Sequence, residues 1–295
     1  MSSVHQLIIG IKGAGEMASA IACRLYRANI RKIFMMEVRH PIAVRRGVSF
    51  CDAIYEGRKV VEGVEAISEL KFVGQENDAL NDDKMTRDRN RNRIFQRAWG
   101  DGEIVVIADP DWRAIERVRP DVVVDAILAK KNLGTRMKEA PLVIGLGPGF
   151  VAENDVHMVI ETNRGHHLGR IFSRGSAEPN TGIPGNIGGF TAQRVLRAPA
   201  TGIFRPTRKI GDMVEYGDII GKVDDGKMRV EVVGRVEGVI RGLIRKEMRV
   251  NKGLKIGDID PRGDKTYCYT ISDKARAIAG SVLEAVLRRF NGVNL

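Results

Sequence analysis

Apolar positions along the first 170 residues fall into two rhythms. The runs "LIIGI" (7–11), "IFMME" (33–37), "IVVIA" (104–108), "DVVVDAI" (121–127) and "PLVIGL" (141–146) have the length and β-branched content of buried strands. Between the first two, Ala18, Ile21, Ala22 and Leu25 recur at helical spacing, so this stretch reads as one βαβ unit. "DWRAIERVRP" predicts a short helix stopped by Pro120. Strands alternating with helices predict an α/β fold built on a Rossmann-like, doubly wound parallel sheet. "VHMVIET" (156–162) and "LGRIF" (168–172) then predict a hairpin around "NRGHH".

From about residue 195 the pattern changes. "APATGIFRPTRKIGDMVEYGDIIGKV" returns, shifted by 36 residues, in "VVGRVEGVIRGLIRKEMRVNKGLKIGDI". Gly202 matches Gly238, Ile203 matches Val239, Val214 matches Val250, Gly217 matches Gly253 and Gly221 matches Gly257. Two strand–turn–strand copies predict a small all-β barrel-sandwich with pseudo-twofold symmetry, similar to the biotinyl/lipoyl carrier fold. Lys227 stands where that fold carries a modified lysine, but it follows Asp225-Gly226 rather than Ala-Met and reads as a solvated turn residue. Residues 273–290 predict an amphipathic C-terminal helix with Ala277, Val282, Leu283, Val286 and Leu287 on its apolar side. The expected organisation is a nucleotide- or cofactor-binding domain over 1–194, a duplicated β-sandwich over 195–265, and a terminal strand and helix over 266–295.

Charge narrows the partners. Lys and Arg number 48 against 37 Asp and Glu, a formal net charge of +11. Nucleic acid is not expected, because basic residues are dispersed beside acidic ones. The single basic run, "KMTRDRNRNRIFQR", has one Phe and no stacking platform. With the polar residues before it, it reads as a solvated insertion at about 76–97. No stretch approaches the ~18 apolar residues of a membrane span, and the amino-terminal residues read as a strand rather than a signal peptide. Cys23, Cys51 and Cys268 are far apart with no C-x-x-C pair, which fits a cytoplasmic protein without a disulfide framework or bound metal ion.

Three loops at predicted strand ends carry the candidate chemistry. Gly13-Ala14-Gly15-Glu16-Met17-Ala18, preceded by Lys12, fits G-x-G-x-x-A, in which a helix N-terminus meets a pyrophosphate. Glu37, ending the next strand, is placed to bond the hydroxyls of a ribose. Asp125 ends a further strand, and Lys130, Asn132 and Thr135 follow in its loop with donors suited to phosphate or a carbonyl oxygen. Gly145, Gly147 and Gly149 in "GLGPGF" permit close backbone approach to a ligand. "HMVIETNRGHHLGR" adds His157, Glu161, Arg164 and His166 as substrate contacts, but the spacing gives no compact metal triad. Asn180 and Thr181 belong to "AEPNTGIPGNIGG", which reads as a lid over the same crevice.

"KGAGEMASAIACRL", "HPIAVRR", "DAILAKKNLGT", "PLVIGLGPGF", "HMVIETNRGHHLGR", "EPNTGIPG" and "GLKIGDIDPRGDKTYCYTISDKARAIAGSVLEAVL" together resemble the YqeB-type accessory family of selenium-dependent molybdenum hydroxylase systems. The resemblance implies a maturation role for a molybdenum hydroxylase client, with or without selenium chemistry. It also implies handling of the molybdenum cofactor; the glycine turn itself would suit the pyrophosphate of a dinucleotide form of that cofactor as well as it suits NAD. The alternatives left open are an NAD-dependent oxidoreductase, with Lys130 or His157 as acid or base, and a non-catalytic scaffold. A nucleotide or pterin ligand, no nucleic acid or membrane partner, and compatibility with a homo-oligomer complete the expectation. Whether the chain catalyses a reaction stays open.

Overall fold

A computed structural model describes residues 3–69 and 93–291. Most of the basic insertion, residues 76–92, lies outside the described residues. The chain divides into two compact units, one formed by Met1–Pro41, Ser49–Asn180 and Ile271–Leu295, the other by Ile42–Val48 and Thr181–Thr270.

The first unit contains β1 (Ile8–Lys12), α1 (Glu16–Arg27), β2 (Lys32–Glu37), α2 (Ala53–Glu56), β3 (Arg58–Val61) and β4 (Val64–Ser68). It continues with a helix over 93–100 (α3), β5 (Ile104–Ala108), α4 (Arg113–Val118), β6 (Val122–Asp125), β7 (Leu142–Leu146), β8 (Met158–Ile160), β9 (Ile171–Phe172) and α5 (Asp273–Phe290). The strands form one nine-stranded sheet in the order β3-β4-β5-β2-β1-β6-β7-β8-β9. This corrects the expected all-parallel Rossmann-like sheet. Its seven central strands are parallel, but β3 runs antiparallel to β4 and β9 antiparallel to β8. The β3–β4 hairpin arises at Glu62-Gly63, both at positive φ (45° and 81°), the backbone that a tight two-residue hairpin turn requires.

Side chains alternate across β1, so Gly10 and Lys12 share one face of the sheet. On that face a core gathers Phe34, Val105, Val123, Val143, Phe95 and Trp99. Gly10 makes room for it: a Cβ there would lie 2.8 Å from Phe34 Cζ. Trp99 stacks on Phe95 and donates its indole N–H to the Ile33 carbonyl at 3.0 Å. Helix α5 packs on α1 with Ala275, Ile278, Ala279, Val282, Ala285 and Val286 buried. The expected apolar side therefore lies rotated about the axis, because small residues allow the two helices to approach closely, leaving Leu287 partly exposed.

The second unit contains β10 (Val195–Arg197), β11 (Gly202–Pro206), β12 (Met213–Val214), β13 (Ile219–Asp224), β14 (Arg229–Val233), β15 (Gly238–Leu243), β16 (Met248–Val250) and β17 (Lys255–Asp260). Two separate antiparallel sheets, β10-β17-β15-β12 and β14-β13-β11-β16, replace the expected barrel. Each takes two strands from either copy of the 36-residue repeat. β11 pairs with β13 and β16 just as β15 pairs with β17 and β12. Phe204, Ile220, Val223, Ile240, Ile256 and Ile259 fill the core.

Candidate functional site

The parallel strands present their carboxyl ends on one edge of the first unit, where open α/β sheets place ligands. Lys12 ends β1 and Asp125 ends β6, and the two are register partners. They flank the point where the chain, having built one side of the sheet, crosses β1 to build the other.

That point is filled by the chain itself. Residues 126–135 run across the strand ends as a strap. A Cβ at Gly13 would lie 3.5 Å from the backbone of Ala126 and Ile127, and one at Gly149 only 2.5 Å from Lys131 Cα. Beneath the strap the Lys12 amine is fully buried. It donates to Thr135 Oγ1 at 2.7 Å and Glu139 Oε1 at 2.9 Å, and lies 3.9 Å from the Trp112 ring centroid. Thr135 Oγ1 donates to Asp125 at 2.7 Å. Burial pushes the Lys12 amine below its ordinary pKa, against the opposing pull of Glu139 and Asp125. Asn132 stitches the strap internally, accepting from the Gly134 and Thr135 N–H groups and donating to the Thr135 carbonyl. Lys130 is exposed on it.

The glycine turn leads into α1, with Gly15 as its N-cap and Glu16 and Met17 in its first turn, while Ala18 is buried against the sheet. A Cβ at Gly15 would meet nothing within 4 Å. Glu37 turns back onto this loop, accepting from Ala14 N at 2.9 Å and Val38 N at 2.8 Å. Burial raises its carboxyl above the usual range, despite those two bonds. Both oxygens expected to meet a ribose are thus engaged by the protein's own backbone. Gly145 lies within β7 against Phe150, and Gly147 against Thr162. These glycines serve contacts between neighbouring loops.

His157 and Glu161 do not converge. His157 precedes β8, and its Nδ1 accepts from Val143 N at 3.0 Å near the amino end of β7. Burial and Arg289 lower its pKa. Glu161 follows β8 at the opposite end, fully buried, accepting from the N–H groups of Thr162, Asn163 and Glu178 at 2.6–2.7 Å. Arg164 makes two bonds to Asp273, at 2.5 and 3.0 Å. His166 packs edge-on against His167, whose Nδ1 lies 3.0 Å from Glu178 Oε1. Asn163 holds the other Glu178 oxygen at 2.7 Å. The partners missed by sequence reasoning are Trp112, Glu139 and Glu178, each on a different loop from the group it meets. A lysine closing an otherwise apolar strand is the one local signal. Asn180 ends the first unit and Thr181 begins the second.

Among the described residues no group of three or more His, Cys, Asp and Glu side chains is arranged to hold a metal ion. No helix among them is long and apolar enough to cross a membrane.

No family model matches the chain. YqeB, an uncharacterized protein of Escherichia coli strain K12, is 45% identical over 285 residues, which are 97% of this chain and 48% of YqeB. The chain is similar to YqeB over nearly its whole length. It spans about half the length of that relative, whose name carries no statement on selenium or molybdenum. Similar solved structures include a succinylglutamate desuccinylase/aspartoacylase from Rhodobacter sphaeroides (26% identity, 23% of this chain and 22% of that, TM-score 0.21). Two others cover more at lower identity. The apo ectoine utilization protein EutE (DoeB) from Ruegeria pomeroyi has 10% identity over 85% of each chain, with a TM-score of 0.25. A succinylglutamate desuccinylase from a Silicibacter species has 11% identity over 86% of this chain and 84% of that, also at 0.25. Neither fold nor activity is carried over from likenesses this partial.

The geometry of the strand ends corrects the expected function and cofactors. Within the chain, the strap occupies the strand-end crossing and Glu37 is bonded to the glycine turn. The maturation role and the NAD-dependent oxidoreductase, with the molybdenum cofactor, selenium and NAD, are withdrawn.

Proposed function

We propose that the first unit is a binding module for a small anionic molecule, held on the outer face of the strap that covers the carboxyl ends of β1, β6 and β7. The observation that supports this is the charge of the strap and its continuation. Lys130, Lys131 and Lys138 are all exposed, and none has a carboxylate within ion-pair distance among the described residues. Their loop is held by Lys12, Asn132 and the close packing of Gly149, so the cations start from an ordered backbone and less ordering entropy opposes binding. The chain's net charge of +11 would favour approach of such a ligand. Three buried free thiols suit the reducing cytoplasm in which we place this activity.

Calorimetric titration with inorganic phosphate, pyrophosphate and citrate tests the reading. The wild-type chain is expected to bind at least one of them, with affinity falling as salt rises. The double substitution Lys130→Glu with Lys131→Glu should weaken that binding by about tenfold or more, a loss of about 1.4 kcal/mol. Unchanged affinity in this variant, or no binding of any of the three anions, would overturn the proposal.

A further inference from the structure

We propose that Lys12 is a covalent site, whose Nζ condenses with the carbonyl group of a small 2-oxo acid to form an imine. The inference rests on the anion-binding reading above and extends it to a reaction. Its basis is the company the amine keeps. Lys12 Nζ reaches both oxygens of Glu139, at 2.8 and 2.9 Å, and donates to Thr135 Oγ1 at 2.7 Å, which in turn donates to Asp125. Imine formation needs a base beside the amine that takes a proton from the ammonium and returns it to the departing oxygen. The Trp112 ring, 3.9 Å from the amine, forms one wall beside it. Desolvation favours the neutral, nucleophilic amine.

The step balances without a redox partner. Glu139 accepts a proton from the ammonium, and the free amine attacks the carbonyl carbon. The attacking nitrogen passes one of its protons to the former carbonyl oxygen, giving a neutral carbinolamine. Glu139 returns the proton it took to that hydroxyl, which leaves as water while the nitrogen lone pair forms the C=N bond. Amine and carbonyl thus become imine and water.

Access requires the strap to lift, because Lys12 is fully covered. The strap and the loop facing it hold three non-glycine residues in the left-handed region, Leu128 (φ 59°), Lys130 (φ 62°) and Trp112 (φ 57°). Strained backbone of this kind clusters where proteins move or bind. The exposed Lys130 and Lys131 supply the attraction for the carboxylate of the 2-oxo acid.

The test uses the wild-type chain. It is incubated with pyruvate or glyoxylate, or with acetone as a neutral carbonyl, then briefly reduced with sodium borohydride and mapped by peptide mass spectrometry. The expected result is one dominant reduced adduct on the peptide containing Lys12 with the 2-oxo acids, and at least tenfold less with acetone. Phosphate added beforehand should suppress it. Adducts confined to exposed lysines, or equal labelling of Lys12 by acetone, would refute the covalent role. If phosphate binds but Lys12 stays unlabelled, the imine falls and the anion site stands. If phosphate, pyrophosphate and citrate all fail to bind, the anion reading falls, and the covalent role that rests on it falls too.

Discussion

The two copies of the repeat in the second unit carry the same ion pair in different surroundings. In the first copy Arg205 Nε lies 3.7 Å from Asp224 Oδ2, with the Arg205 side chain half exposed. In the second copy the equivalent Arg241 NH1 lies 3.2 Å from Asp260 Oδ2, and the Asp260 side chain is fully buried. Asp260 also accepts from the Arg262 guanidinium, and neighbouring Asp258 accepts from Arg194 and Arg241. Duplication supplied two equal pairs; burial made them unequal. A pair in water gains little because solvent competes for both partners. A buried carboxylate must keep its partners, since removing them or it strands charge in a low-dielectric site.

What the copies still share is the close approach of a neighbouring strand at one glycine. A Cβ at Gly202 would lie 2.2 Å from the Asp224 carbonyl oxygen, and a Cβ at Gly238 equally 2.2 Å from that of Asp260. The strand crossing tolerates no side chain in either copy, whatever the surface around it does.

The largest expected effect is at Asp260. Asp260→Ala leaves Arg241 and Arg262 around an empty site and should lower unfolding free energy by about 3–5 kcal/mol, read from urea denaturation. A loss no larger than that of the matching change in the first copy would end the contrast. Gly202→Ala and Gly238→Ala should each cost about 1–3 kcal/mol through overpacking. Gly238→Ala should lose the more, because Gly238 also sits at φ 149°, which L side chains rarely adopt, and a tolerated Gly202→Ala would show that the approach is not equally tight in both copies.

Acid sharpens the comparison further. Burial alone would raise the Asp260 carboxyl, but bonds from Arg262 and the charges of Arg241 and Arg262 outweigh it and hold it below the usual range. A depressed carboxylate stabilises above its unfolded pKa of about 3.9, and that contribution is lost as pH falls through the lower native value. Stability measured from pH 5 down to pH 2 should therefore fall less steeply in Asp260→Asn than in wild type; parallel curves would contradict this. The smallest effect belongs to Asp224, held low by the Gly226 N–H and by Arg229. Asp224→Asn should leave the thermal midpoint at neutral pH unchanged within error.

The sequence made much of this visible. The five apolar runs of the first unit emerge as β1, β2, β5, β6 and β7, because strands buried on both faces must be continuously apolar. The hairpin of β3 and β4 escaped notice, since Arg58-Lys59-Val60-Val61 is short, half polar and lies on an edge. The repeat was legible because each copy keeps its glycines at the same offsets. At the site, the glycine turn and Lys12 were legible and their roles were not. Gly13 meets Ala126, Gly149 meets Lys131 and Lys12 meets Glu139, contacts that join distant parts of the chain. Proximity in sequence misled in the other direction: His157 and Glu161 straddle β8, so about 13 Å of extended chain separates them.

The amino-acid sequence by itself determined that five apolar runs form strands, where the duplication lies, and that a lysine closes the first of those strands. These follow from periodicity and local backbone freedom. Only the tertiary structure decided that the strap fills the strand-end crossing, that Glu37 serves the glycine turn, and that one of two duplicated ion pairs is buried. Desolvation and close packing are properties of the neighbours, and those neighbours come from elsewhere along the chain.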